Sequence, residues 1–387
     1  MGFGQGGPDF RLQRLRVPGE NAQRLVARST QEGTRFRWGS VDGVFILLLV
    51  LVPAALTSAI LHTGALTFFL AALAIVPLAH WMGAATESLA HRLGAGLGGF
   101  LNATFGNAAE FIIALVALRA GQTAVVKASL TGSVICNLLL VLGGAIFAGG
   151  LTRQRQVFNA TAVLSGVALM YLAVTGLIIP NLFHLALGPA AAPMMRQLSV
   201  AVAVVLLLLY GLSLLFSLGT HARLFEGEAG EATRSWSLRQ AVVLLGVTTA
   251  GTVAVAELLV HALEPGISAL GLTPTFVGVV VIAVVANAAE HSSAILMALR
   301  DRIDVAFSIC LESSKQIALL IAPLLVLVSG FLGHPLTLEF SHLEVLALGL
   351  SVGATTIITL DGESNWLEGA MLLGVYALLA IVFFYVP

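Results

Sequence analysis

The sequence predicts an all-α polytopic membrane protein of eleven transmembrane helices, one extra helix plus two inverted five-helix repeats. Composition is the first ground. Of 387 residues, 58% are hydrophobic and 10% charged, and the mean hydropathy of +0.97 lies far outside the usual range of soluble domains. The second ground is the number of apolar stretches close to the roughly 20 residues that a helix needs to cross a bilayer. The third is an internal repeat: Asn107-Ala108-Ala109-Glu110 returns 180 residues later as Asn287-Ala288-Ala289-Glu290, each copy inside an apolar stretch.

Residues 1–40 are polar, hold seven arginines and precede the first apolar run. They read as a flexible basic cytoplasmic arm, with an Arg-rich organellar transit segment as the alternative. They lack the early short hydrophobic region of a cleavable signal peptide. The expected spans are 43–62, 65–90, 98–119, 122–149, 157–180, 196–218, 237–263, 273–299, 304–330, 341–360 and 365–386. Gly, Pro, Arg or acidic residues fill the connections, which is where helices stop. The longest connection, 219–236, holds Glu226, Glu228 and Glu231 and reads as a short acidic cytoplasmic linker. It separates a first helix (41–63) and a first five-helix repeat (64–218) from a second repeat (237–387).

With the amino terminus in the cytoplasm, the arm and Arg92, Arg153, Arg155, Arg223, Arg234, Arg239, Arg300 and Arg302 place fifteen arginines on that side, against Arg119 and Arg196 on the other. This positive-inside bias puts the carboxyl terminus outside. The third span then runs outward and the eighth, its counterpart, inward, so the two halves are inverted copies. Inverted repeats are a plan of secondary transporters, with the binding site near the bilayer midplane where the copies meet. Glu110 and Glu290 are expected to approach one another there.

An ionisable group at that depth is costly and reads as functional. On a helix, Asn107 and Glu110 share a face, as do Asn287 and Glu290. Two carboxylates and two amide oxygens form a hard-oxygen set of the kind Ca²⁺ takes, whereas a soft-metal set is missing. Ser133 and Ser313 each follow the acidic residue of their half by 23 positions. Ser129, Ser133 and Asn137 rise as one polar stripe, and Ser313, Ser314 and Gln316 occupy the equivalent turn. These side chains are able to offer hydroxyl and amide oxygens to an ion, or to serve close helix packing.

Leu101-Asn102-Ala103-Thr104-Phe105-Gly106-Asn107-Ala108-Ala109-Glu110, Gly132-Ser133, Asn287-Ala288-Ala289-Glu290-His291 and the stretch Asp361 to Gly369 (DGESNWLEG) together resemble the calcium/proton antiporters of the cation/calcium exchanger superfamily. The resemblance spans both halves. It implies an eleven-helix exchanger whose ion-binding glutamates correspond to Glu110 and Glu290 and whose amides correspond to Asn107 and Asn287, with Ser133, Ser313 and Gln316 completing the metal site. One departure stands out. Where the family usually has Gly-Ser-Ser followed by a neutral residue and Gln, this chain has Glu312-Ser313-Ser314-Lys315-Gln316. Glu312 and Lys315 either pair with each other, or Glu312 acts as a third acidic ligand and the Lys315 ammonium takes a cation position.

Transported Ca²⁺ and H⁺ are therefore the expected partners, together with the lipid bilayer; no resident cofactor and no nucleic acid are expected, since basic residues form no single stripe. Bound Ca²⁺ neutralises two carboxylates, and protons take its place when it leaves, which makes an alternating protein an antiporter rather than an enzyme. Glu257 and His261 read as lining an access path or as packing, and His291 as a gate or proton relay beside Glu290. Cys136 and Cys310 read as small hydrophobes. Abundant arginine, alanine and leucine point to a bacterial cell membrane. The alternatives are the same fold carrying other ions, such as Na⁺/Ca²⁺ or another cation with H⁺; a channel or scaffold; and an intramembrane metalloprotease, since Asn287 to His291 comes within one ligand of H-x-x-E-H.

Overall fold

The computed structural model describes residues 38–221 and 236–385. Most of the arm and of the acidic linker expected from the sequence lie outside these residues. The chain divides into Met1–Val44, whose described residues form only the start of a helix, and Phe45–Pro387, which holds the rest of that helix and every contact described below.

Helices dominate: α1 (Trp38–Leu48), α2 (Leu51–Ile60), α3 (Gly64–Phe105), α4 (Ala108–Arg119), α5 (Thr123–Ile135), α6 (Leu142–Gly150), α7 (Ala160–Leu187), α8 (Ala192–Leu215), α9 (Leu238–His261), α10 (Leu263–Leu270), α11 (Pro274–Phe276), α12 (Ala283–Ala286), α13 (Ala288–Leu299), α14 (Ile303–Gln316), α15 (Ala322–Ser329), α16 (His342–Thr359) and α17 (Trp366–Tyr385). Wider π-helical turns join several of these: Cys136–Val141 between α5 and α6, Val277–Ile282 between α11 and α12, and Ile317–Ile321 between α14 and α15. Such turns are rare and concentrate at functional sites. Here they flank the polar residues singled out above.

Among the described residues, eight helices are long and apolar enough to cross a membrane, or up to ten if each of two bent pairs is one span. One of the eight is the run Ala160–Thr220, 61 residues long. At about 1.5 Å per residue it would be roughly three times the thickness of a bilayer core, and it does not run straight. Within it α7 and α8 pack against each other, the chain turning at Gly188, whose φ of 56° suits glycine. The break expected between 90 and 98 takes a different form from a loop. Helical hydrogen bonding persists through α3, yet a Cβ at Gly98 would lie 1.9 Å from the carbonyl oxygen of Ala90, atoms that a straight helix keeps about 12 Å apart. The helix folds sharply there.

The core is assembled by α3 along α9, α6 against α13 and α17, α7 against α16, and α8 against α15. The tightest crossing lies between α5 and the π turn Val277–Ile282. A Cβ at Gly132 would sit 2.3 Å from the Val279 carbonyl oxygen, and one at Gly278 2.5 Å from the Ala128 Cβ. Only glycine lets the two backbones touch, the small-residue packing expected where lipid supplies little hydrophobic drive between helices.

Charge gathers at two ends of the bundle. At one, Gln156–Val157 and Glu363–Ser364 form a two-stranded antiparallel ribbon, Arg155 reaches Glu363 at 3.3 Å, and Arg153 reaches Asp301 at 2.8 Å. Arg153 also donates to the carbonyls of Ala298 and Leu299, closing the carboxyl end of α13 where backbone acceptors have no helical partner. At the other, Lys127 donates to the Glu339 carbonyl at 2.6 Å, and His184 lies 3.0 Å from the Glu339 carboxylate. Glu344 is buried there, accepting from Thr131 at 2.9 Å while closing a capping box with Ser341.

Candidate ion-binding site

Both acidic motifs fall where a helix is interrupted. α3 ends at Phe105 and α4 begins at Ala108, with a 41° bend between Leu97–Phe105 and Ala108–Arg119; α12 ends at Ala286 and α13 begins at Ala288. Asn107 and Asn287 therefore stand immediately before the first residue of new helices (φ −104°, ψ 36° and φ −90°, ψ 8°) rather than inside continuous ones, as a shared helix face with Glu110 and Glu290 predicts. The physical reason is visible in their side chains. Neither amide caps its own helix; both are drawn into hydrogen bonds with the opposite half.

Asn107 Nδ2 donates to Gln316 Oε1 at 2.6 Å, and Ser313 Oγ donates to Asn107 Oδ1 at 2.8 Å. Asn287 Nδ2 donates to Ser133 Oγ at 3.0 Å and to the Ala283 carbonyl at 2.8 Å. Asn137 joins the two sides, donating to Ser313 Oγ at 2.8 Å and to Asn287 Oδ1 at 3.2 Å. The amide of one half thus meets the serine of the other, twice, and the equivalent residues of the two pairs, Asn107 with Asn287 and Ser133 with Ser313, stand 180 positions apart. Six side chains form one chain of hydrogen bonds, and all are at least nine-tenths buried. Asn137 was legible only as the third residue of the Ser129–Ser133 stripe; its place as the bridge was not.

Glu110 is 8% exposed, and Glu290 is half-buried. Each stands in the first turn of its helix, where the helix dipole favours negative charge. Among the site's own residues, Glu290 Oε2 and Asn137 Oδ1 are buried and without a hydrogen-bond partner. Buried acceptors are rarely left so. Two acidic side chains, unsatisfied amide and carboxylate oxygens and nearby hydroxyls form a set able to surround a hard cation.

The remaining residues expected near the site are distributed around it. Lys315 Nζ donates to Glu312 Oε1, so the two pair, and the Glu312 side chain is half-exposed. Glu257 pairs with Arg119 at 3.7 Å, and His261 Nδ1 lies 2.7 Å from the Glu257 carbonyl oxygen, away from the six-residue network. His291 Nε2 lies 3.5 Å from Cys136 Sγ. Both cysteines are free and buried, and His80 is stacked on Phe45.

The sequence model of one protein family, the sodium/calcium exchanger protein, matches residues 63–219 and 240–385. The chain belongs to this family. A Ca(2+)/H(+) antiporter of Synechocystis sp. is 43% identical over 364 residues, covering 89% of this chain and 98% of that protein. The Ca(2+)/H(+) antiporter ChaA of Bacillus subtilis is 39% identical over 347 residues, 88% of this chain and 98% of its own. Among solved structures, native YfkE superposes with a TM-score of 0.77 at 37% identity, covering 88% of this chain and 100% of YfkE. The matched regions of this exchanger-family chain include both interrupted helices and every residue of the hydrogen-bonded network.

Proposed function

We propose that the chain is a secondary active Ca²⁺/H⁺ antiporter that exports Ca²⁺ from the cytoplasm in exchange for protons by alternating access. The crossed amide–serine hydrogen bonds beside two glutamates, one buried and one half-buried, carry this reading, and the Ca(2+)/H(+) antiporters to which the chain is similar support it. Glu110 and Glu290 bind Ca²⁺ or protons competitively. With Ca²⁺ present its charge is balanced; without it, two bare carboxylates in a low-dielectric interior repel and protons take the ion's place. Asn107, Asn287, Ser133, Ser313 and Gln316 hold the site together and supply neutral oxygens.

The architecture is eleven crossings, one extra helix (41–63) plus two inverted five-helix repeats (64–218 and 237–387). Joining the segments that meet at Asn107 and, in place of the pair Leu263–Leu270 and Pro274–Ala286 with its 111° bend, those that meet at Asn287, and counting α7 and α8 separately, gives 42–60, 64–93, 97–119, 123–150, 160–187, 192–220, 238–261, 274–299, 303–329, 342–359 and 366–385. The repeat is supported by the element boundaries: α4 and α13 start 180 residues apart, as do α5 and α14, and a π turn follows each of the latter pair. The orientation, with a basic arm (1–40), an acidic linker (219–236) and the amino terminus in the cytoplasm and the carboxyl terminus outside a bacterial inner membrane, is supported by Arg153 and Arg155 meeting Asp301 and Glu363 at one end of the bundle.

The test is flux into liposomes containing purified protein. A pH gradient drives ⁴⁵Ca²⁺ uptake, and Glu110→Gln and Glu290→Gln each abolish it. Uptake that persists without a proton gradient and ignores both substitutions sinks the proposal, and replacing Ca²⁺ by Na⁺ or other divalent cations tests the same fold with different ions.

A further inference from the structure

Positions 180 residues apart around the site differ in exposure. Asn102 and Gly106, one turn apart at the end of α3, are exposed, and Phe105 between them is 41% exposed. Their counterparts Ile282 and Ala286 are 5% and 3% exposed. The Glu312 side chain on α14 is 51% exposed, whereas its counterpart Gly132 is buried against Val279 with no room for a methyl group. One approach to the site is open and the other is closed by direct helix contact.

The open approach leads straight to the network, since a Cβ at Gly106 would lie 3.0 Å from Gln316 Oε1. Glu312 lies one turn before Gln316, on the same face of α14. On the α3 side of this opening, the Tyr210 hydroxyl donates to the Ala103 carbonyl at 2.6 Å, one residue after the exposed Asn102. A half-exposed carboxylate at this depth faces water, because hydrocarbon would make its charge too costly. Lys315, only 12% exposed, reaches out to it.

We propose that Glu312 is a cation-receiving subsite on the open approach and that Lys315 is its built-in competitor, holding the carboxylate until a divalent cation displaces the ammonium. The inference rests on the Ca²⁺/H⁺ reading. A divalent ion brings twice the charge of an ammonium, yet displacing Lys315 returns a largely enclosed cation to a site with no second carboxylate on its turn. Binding at Glu312 is therefore weak, as a waypoint requires: strong enough to gather the ion and weak enough to release it.

The experiment is the KM for Ca²⁺ in pH-gradient-driven ⁴⁵Ca²⁺ uptake by the full chain in liposomes, at low and high ionic strength. Glu312→Gln raises KM about two- to fivefold at low ionic strength, and the difference shrinks as salt screens the charge. Lys315→Gln lowers KM, and Glu312→Asp falls between wild type and Glu312→Gln. Opposite signs are the diagnostic readout, because a pair that merely braces the helix would impair transport in both variants. Unchanged values, or a rise in both, overturn the subsite. If Glu312→Gln does not yield folded protein, Lys315→Gln decides alone: a lower KM supports the proposal and an equal or higher one overturns it. A wild-type chain that moves no Ca²⁺ on a pH gradient overturns the antiport reading and Ca²⁺ as the occupant together, whereas wild-type transport with unchanged variants overturns the subsite alone.

Discussion

Asn137 holds the hydrogen bonds of the site together, since its one amide nitrogen reaches both Ser313 and Asn287 while its oxygen has no partner. Truncation would leave Asn287 Oδ1 without that donor and remove an oxygen facing the site. Leaving a buried polar group unsatisfied costs about 1–3 kcal/mol, so Asn137→Ala should raise the KM for Ca²⁺ by about fivefold or more, measured by initial ⁴⁵Ca²⁺ uptake. The two glutamates were legible in the sequence because a carboxylate repeated at a fixed offset in apolar stretches has few structural uses. Asn137 was legible only as a member of a stripe, because hydrogen bonds between residues 150 and 176 positions apart leave no local pattern. Competition at the carboxylates gives another expectation at this scale. Lowering the pH on the Ca²⁺-loaded side should raise the KM for Ca²⁺ and leave the rate at saturating Ca²⁺ unchanged; a fall in that rate with a constant KM would exclude shared occupancy.

The elements that form the site are set by breaks and close crossings. No proline marks the interruptions at Asn107 and Asn287, so a span of apolar residues reads through both; partners across the interface, rather than local propensity, end the helices there. The crossing of α5 over Val277–Ile282 is likewise a tertiary fact, although glycines at 132 and 278 leave a trace of it. Gly132→Ala places a methyl group 2.3 Å from the Val279 oxygen, and overpacking of this kind costs about 1–3 kcal/mol. Its thermal unfolding in detergent should fall below that of the wild type. Gly353→Ala in α16, where a Cβ meets nothing within 4 Å, should be neutral or stabilising, because glycine is a poor helix former. Equal losses in the two variants would contradict the packing argument.

For the whole molecule, the number of carboxylates sets the charge moved per cycle. Two protons against one Ca²⁺ carry no net charge, so a clamped membrane potential should leave the initial exchange rate unchanged. A third proton would couple transport to voltage at about 2.3 kcal/mol per charge per 100 mV. Uptake at potentials set by K⁺ and valinomycin separates the two, and a strong voltage dependence would show that a further titrating group takes part. Glu312 is half-exposed and Glu257 is held by Arg119, whereas Glu110 is buried and Glu290 half-buried with one oxygen enclosed, so these two are the pair expected to titrate.

By itself the sequence determined the membrane class and the acidic motif repeated at 180 residues inside apolar stretches, because hydropathy and motif spacing are properties of composition and order along the chain. The tertiary structure decided what spacing does not encode. It ends the helices at Asn107 and Asn287, crosses the amide of each half to the serine of the other, makes Asn137 the bridge and pairs Lys315 with Glu312. It also leaves Asn102, Gly106 and Glu312 exposed while their counterparts Ile282, Ala286 and Gly132 are closed. Similar positions in a repeated sequence acquire different surroundings only when the two copies pack against each other in different conformations, and that packing depends on contacts far apart along the chain.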